Sequence, residues 1–370
     1  MTSSNNIHLA YDGYRVEVAD ASSLEASRWE RELEAAGFRL PFPHRTAAAE
    51  LEPSPGPLFF LIRDASSGAP RGGFAAQRRP SRALPGHYLL RVERFGQALP
   101  AEARAVGVRA LADLCRATPR VLRAYLGVYS IDPSVRQEIT SQAAAAGFRK
   151  SLSPRGYDAT ILIDLRPDEE ELFASFHATA RRHVRAAAKH PVEVRLVNSP
   201  EFAGRLDLLV REVFARTGGS VEQQEWPEII NFSARHPERS RLVGLFRTDA
   251  TGPESLLAFA HCYHHGDHAE YSTAASSRST DVKVPQTYVL AWDLIRWAKR
   301  HGAVHFDFGG VTPLADDDSG SDPLQGISAF KRFFSKTEAV VADEWMLEPS
   351  RLKADLARVF TSVAKSIAKS

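Results

Sequence analysis

The chain has 370 residues, of which 44% are hydrophobic and 25% charged, with a formal net charge of +2. This is an ordinary globular composition of a length that suggests two domains, and any polyanion must be met by a local basic patch. Cys115 and Cys262 lie far apart and make no disulfide framework, which fits a reducing, cytoplasmic compartment; residues 1–12 hold no basic and apolar leader, and no apolar run approaches the ~20 residues that span a bilayer.

In chain order, Tyr14 to Ala19 alternates as a strand, and Ser22 or Ser23 can cap a helix that ends at Gly37. Strands follow at Leu58 to Arg63, Gly72 to Gln77 and His87 to Phe95, the first two separated by a turn at Ser66-Ser67-Gly68. Ala105, Val108, Leu111 and Cys115 give Ala101 to Ala117 a helical period, and a strand at Ala124 to Tyr129 and a helix at Pro133 to Ala146 complete the first half. Pro167 to His190 reads as one helix, with Asp168 to Glu171 at its N-terminus and Phe173, Phe176, Ala180, Val184 and Ala187 as its stripe. A helix at Phe202 to Thr217 follows, then strands at Arg241 to Arg247, Ser255 to His264 and His268 to Ala275. A strong helix at Gln286 to His301 is closed by Gly302, and Val304 to Phe308 is a strand. Helix-then-strand at 101–129 and again at 286–308 is a pattern repeat, so the expected architecture is a mixed α/β fold of two similar halves. The expected domains are 1–165 and 166–350, followed by an amphipathic helix over 351–370 that docks on the body. Residues 312–326 are acidic and rich in Gly, Ser and Pro, and read as a lid-like loop.

Three features carry chemistry. Arg181, Arg182 and Arg185 form the densest basic stretch, with no acid from Leu172 to Val192. Arg181 and Arg185 are one helical turn apart, so both forks can meet one phosphate, although a solvated face gives the same pattern. In Ser328 to Phe334, burial of Phe330, Phe333 and Phe334 holds Lys331 at the edge of a core, where it can stabilise an oxyanion; a snorkelling surface lysine is the alternative. In Phe306-Asp307-Phe308-Gly309-Gly310, alternation sets Asp307 apart from the two phenylalanines, and the glycines permit close approach. Asp307 can take a proton from an amine or can be a structural carboxylate. Tyr271 and Gln286 complete the substrate-binding candidates with Gly309 and Gly310. His261, His264, His265 and His268 cluster at a hairpin but lack a typical ligand set and are read as surface histidines, so no metal is expected.

These residues resemble a known family. The order of elements looks like the GNAT acyltransferase fold. ARRHVRAAAKH, VPQTYVLAWDLIRWAKRHGAVHFDFGG and GISAFKRFF resemble the Fem family of tandem-GNAT proteins, which transfer amino acids from aminoacyl-tRNA onto peptidoglycan precursors, with relatives that aminoacylate peptides or small molecules. The resemblance covers Leu172 to Phe334. It implies that Arg181, Arg182 and Arg185 lie near a phosphate-bearing substrate, Lys331 near the reacting ester, and Asp307, Gly309 and Gly310 in the corresponding strand. The segment 199–240 is too short for a coiled-coil arm, so the armless members are the match.

Two donors are weighed. A CoA-binding GNAT loop wraps pyrophosphate with backbone N–H groups before its central helix. In the second half no glycine falls between Gly266 and Gly302, and Pro285 removes an N–H; in the first half, Arg104 to Arg109 matches such a loop except for Arg109 itself. The favoured expectation is transfer of an amino acid from aminoacyl-tRNA to an amine, without a cofactor. An acyl-CoA-dependent N-acyltransferase for a polysaccharide, lipid or amino-acid precursor, and a non-catalytic binder of RNA or a nucleotide sugar, stay open.

Overall fold

The computed structural model describes residues 7–20, 23–52, 56–217, 224–278, 284–312 and 325–367. The chain forms two compact units, Met1–Asp158 with Val341–Ser370, and Ala159–Val340. The first strings together β1 (Ile7–Tyr11), β2 (Tyr14–Asp20), α1 (Leu24–Ala35), β3 (Leu58–Asp64), β4 (Pro70–Pro80), β5 (Tyr88–Phe95), α2 (Ala101–Ala117), β6 (Val121–Tyr129), α3 (Pro133–Ala145) and β7 (Arg149–Lys150). The second comprises β8 (Ala159–Asp164), α4 (Glu169–Ser175), α5 (Ala178–Ala186), β9 (Val192–Leu196), α6 (Ala203–Thr217), α7 (Trp226–Arg235), β10 (Ser240–Arg247), β11 (Leu256–His264), β12 (His268–Ser276), α8 (Gln286–Arg300), β13 (His305–Gly310), α9 (Gln325–Arg332) and β14 (Glu338–Val340). The chain then returns to the first unit with β15 (Ala342–Leu347) and α10 (Arg351–Ile367).

The sheets run β1-β2-β3-β4-β5-β6-β15-β7 and β14-β8-β13-β12-β11-β10-β9. Each holds one parallel pair, β5–β6 and β12–β13, bridged by α2 and α8 respectively. A parallel pair needs a crossover, and a helix that buries an apolar stripe on the sheet supplies it. The repeated helix-then-strand pattern is this crossover, so the fold is mixed α/β in two similar halves.

Two segments fall across the expected boundaries. Ile163, Leu162 and Thr160 of β8 pair with Phe306, Asp307 and Gly310 of β13, which places β8 in the second unit. Ala342 to Leu347 pairs antiparallel with Tyr129 to Ala124 of β6, and Trp345 and Leu347 join the first core, so this stretch belongs to the first unit. The single helix expected over Pro167 to His190 is also broken. Phe176 adopts an extended backbone that buries its ring, and His177 restarts the helix by accepting the Thr179 N–H at 3.2 Å. The capping box of Asp168 and Glu171 opens α4 as its acidic first turn suggests.

Leu290, Leu294 and Ile295 of α8 pack with Ile161, Phe306 and Phe308 to form the second core on one face of its sheet. On the other face Trp226 meets Phe259 at 5.1 Å between ring centres, and the hydroxyl of Ser233 lies 2.7 Å from that of Ser240. Ser240 Oγ in turn lies 2.9 Å from His261 Nε2. His261, His265 and His268 are buried, not surface histidines, and each has a hydroxyl or carboxylate beside its ring. The Arg104 to Arg109 stretch lies inside α2 and forms no loop. Gly107 there serves packing, since a Cβ at this position would stand 3.1 Å from Phe74 and 3.2 Å from Phe95. Finally, over residues 351–361 α10 docks through Ala354 and Ala357, while Leu352, Leu356, Val359 and Phe360 are exposed.

Candidate active site in the second unit

The parallel ladder between β12 and β13 is short. His268, Ala269 and Glu270 pair with His305, Phe306 and Asp307, and there the described pairing stops, although β12 runs on to Ser276 and β13 to Gly310. The strands therefore part immediately beyond Glu270 and Asp307. By alternation those two carboxylates share one face, while Ala269, Phe306 and Phe308 enter the core on the other.

Asp307 is 0% exposed. Its Oδ1 accepts the Thr160 hydroxyl at 2.5 Å and the Gly309 N–H at 2.7 Å. Gly309 has φ 70, a left-handed turn that suits glycine and lets its N–H fold back onto the carboxylate. Lys331, on α9, is 7% exposed and donates from Nζ to the Gly310 carbonyl at 2.5 Å. Burial pulls its ammonium pKa down from 10.5 to about 8, against the opposing pull of Asp307 and Glu270. Glu270 Oε2 sits 3.1 Å from His265 Nε2, whose ring stacks on His268 with centres 5.0 Å apart. The Glu270 side chain is 19% exposed, so of the two carboxylates beside Lys331 it is the one that reaches the surface. The arrangement is a buried cation with one sealed and one open carboxylate where two strands part. It can stabilise a developing oxyanion and accept a proton next to it.

Lys331, Asp307, Gly309 and Gly310 are thus brought together. Glu270 joins them unannounced: its strand alternation was legible, but its pairing with Asp307 is a register that appears only in the folded sheet. Tyr271 does not join them. It points to the opposite face of β12, 5.4 Å from the Phe308 ring, where burial raises its phenol pKa. Gln286, at the first residue of α8, donates to the Ser277 carbonyl at 3.1 Å and so ties the helix start to the end of β12; its Oε1 is buried without a partner among the described residues.

The arginines divide. Arg181 donates to the carbonyls of Ala174 and Phe176, the latter at 2.9 Å, because the break before α5 leaves these groups at the end of α4 open. Arg185 lies over the Phe173 ring at 5.1 Å. The joint clamp of Arg181 and Arg185 on one anion is therefore not formed. Arg182 is exposed, has no partner among the described residues, and lowers the pKa of His183 after burial does. It also lies near Tyr288, whose ring meets Phe330 at 4.9 Å on α9, so α5 and the lysine helix converge through one aromatic cluster. Beside this cluster a cavity of about 880 Å³ is lined by residues of β8, α4 and 332–337, among them Asp164, Glu171, Arg332 and Lys336. Of the expected lid, 313–324 lie outside the described residues.

Residues 174–332 match the family model described as the Acetyltransferase (GNAT) domain. No curated protein sequence matches the chain. Among solved structures the chain is similar to FemX, with a TM-score of 0.67 at 16% identity over 86% of this chain and 94% of that one. It is also similar to L-PGS from Bacillus licheniformis, with a TM-score of 0.52 at 12% identity over 94% of this chain and 98% of that one. A third is the C-terminal domain of a putative lysylphosphatidylglycerol synthetase from Agrobacterium fabrum, with a TM-score of 0.51 at 14% identity over 91% and 97% of the two chains. At these identities the likeness speaks for the fold. With a match to the GNAT acetyltransferase domain over residues 174–332 and two parallel-crossover sheets in tandem, the chain has a Fem-like, tandem-GNAT fold.

Proposed function

We propose that the second unit transfers an aminoacyl group from aminoacyl-tRNA to the amine of a peptidoglycan precursor, peptide or small molecule, forming an amide. The observation that carries this reading is Lys331, a buried ammonium held by the Gly310 carbonyl beside Glu270 and Asp307 where β12 and β13 part. The acceptor amine attacks the ester carbonyl, a C–N bond forms, and the bond to the ribose oxygen breaks. Lys331 meets the negative charge on the carbonyl oxygen, and the amine proton passes to Glu270 or directly to the leaving ribose oxygen. Asp307 is fully enclosed and serves to hold Thr160, Gly309 and the lysine in place. Arg182, exposed and unpaired among the described residues, suits a phosphate of the acceptor or of the tRNA end. The fold shared with FemX and with lysylphosphatidylglycerol synthetase structures supports a tRNA-borne donor.

A second reading, an acyl-CoA donor, draws on the description of the matched domain as an acetyltransferase. Its first-unit loop is lost, because Arg104 to Arg109 is helical. In the second unit, Pro285 stands at the cap of α8 with no side-chain cap and offers no N–H.

The test is transfer from a pool of labelled aminoacyl-tRNAs to candidate amines, with and without RNase, beside an acyl-CoA arm. RNase-sensitive transfer that falls by about 10²–10³-fold in Lys331→Ala is the expected result. Turnover with acyl-CoA alone overturns the tRNA reading.

A further inference from the structure

We propose that α10, with the basic residues around its root, docks the protein on an anionic lipid surface. This inference is independent of what the second unit transfers.

A helix on a protein in water turns its large apolar side chains inward. Over its described side chains, residues 351–361, helix α10 does the reverse. Ala354 and Ala357 are its buried contacts, at 0% and 4% exposure, while Leu352, Leu356, Val359 and Phe360 are 71%, 44%, 59% and 54% exposed. These four are spaced i, i+4, i+7 and i+8 and form one outward stripe. A lone exposed leucine is ordinary, but a contiguous stripe of large side chains is a mark of an interaction surface.

The charge around the stripe selects the partner. Residues 351–361 carry Arg351, Lys353 and Arg358 against Asp355, three cations less one anion, an excess of two. Three guanidinium groups, from Arg123, Arg149 and Arg358, converge on the single carboxylate of Glu348 just before the helix. Lys353 reaches the Pro119 carbonyl at 2.5 Å, which fixes the helix root on the first unit, and Arg351 is exposed at its start. An apolar stripe flanked by basic side chains is the chemistry of a helix lying in a lipid interface, its apolar face entering roughly 5–10 Å and its cations meeting headgroup phosphates. Each basic residue near an anionic surface adds roughly fivefold to the affinity. Pairing with a second copy would cover the same stripe but bring two cationic helices together, which like-charge repulsion opposes. No helix of the described residues is long and apolar enough to cross a membrane, so the attachment is to the surface.

The experiment is flotation of the full chain with vesicles of equimolar phosphatidylcholine and phosphatidylglycerol, beside pure phosphatidylcholine vesicles, with solution mass measured in parallel. We expect binding to the anionic vesicles that weakens when salt rises from about 0.1 M to about 1 M, shrinking the screening length from ~10 Å to ~3 Å. The double variant Leu356→Asp with Phe360→Asp should bind at least about tenfold more weakly at unchanged thermal stability, because both side chains are already exposed. Arg351→Glu, which leaves the apolar stripe intact, should weaken binding to anionic vesicles by roughly tenfold or more. Failure to float with anionic vesicles, equal binding to pure phosphatidylcholine, or a dimer abolished by the double variant in a chain that binds no vesicles would each overturn the proposal.

Discussion

Lys331 and its two carboxylates show how burial sorts residues of like chemistry. Its pKa stands at about 8 because burial disfavours the ammonium more than Asp307 and Glu270 favour it. A lysine whose folded pKa lies below its unfolded value has shed a proton that the unfolded chain still holds, so this group makes folding more favourable as pH rises from about 8 to 10.5. The oxyanion role runs the other way, since it needs the cation. We therefore expect a kcat/KM profile with a limb falling above about pH 8, displaced upward in Lys331→Arg because a guanidinium stays charged. A limb that stays at the same pH in that variant belongs to another group. The carboxylates should separate by readout. Asp307→Ala leaves the Thr160 hydroxyl and Gly309 N–H without their buried acceptor and should lower stability by about 2–4 kcal/mol in urea unfolding. Glu270→Gln should leave the urea midpoint nearly unchanged and slow transfer by about 10²-fold or more.

At the scale of elements, the two crossover helices reach their sheets by different means. The stripe of α8 is of large residues, Leu290, Leu294, Ile295 and Trp297, which fill the space against β11 and β12. Helix α2 approaches more closely at Gly107, where Phe74 and Phe95 occupy the volume a side chain would need. This explains why a glycine spacing suited to an anion-binding loop sits in mid-helix. A helical glycine normally costs about 1 kcal/mol relative to alanine, so substituting it should stabilise an exposed helix. Here Gly107→Val should instead destabilise by about 1–3 kcal/mol, measured by thermal or urea unfolding, because the ring edges must shift. The break between α4 and α5 follows the same logic of local conflict. The stripe from Phe173 to Ala187 is continuous in sequence, yet burying the Phe176 ring against Phe334 and Trp292 outweighs one turn of helix. Arg181 and His177 then satisfy the backbone groups that the break exposes.

For the whole molecule, the exchange of β8 and β15 decides where each unit ends. β8 precedes the second unit's other strands and pairs with β13, while β15 follows them and pairs with β6 of the first. The first unit is thus closed by a strand encoded after the second. A chain truncated after Val340 should keep the second unit folded but leave β6 as an open edge and remove Trp345 and Leu347 from the first core. Hydrogen exchange should show β10–β13 still protected and β5 and β6 deprotected. Equal protection in both units would mean that β15 is dispensable.

From the residues alone follow the crossover helices read at 101–117 and 286–301, the strands they link, and the mixed α/β class, because a 3.6-residue stripe and a two-residue alternation are local properties. The residues also set Asp307 and Lys331 among apolar neighbours adjacent in the chain, while leaving a core-edge and a snorkelling lysine both open. The folded chain alone sets the pairing of Glu270 with Asp307, the core face for Tyr271, the use of Arg181 on the carbonyls of Ala174 and Phe176, and the outward stripe of α10. Each of these depends on a strand register or on which face of an element meets a partner distant in sequence, and neither is encoded in the spacing of neighbouring residues.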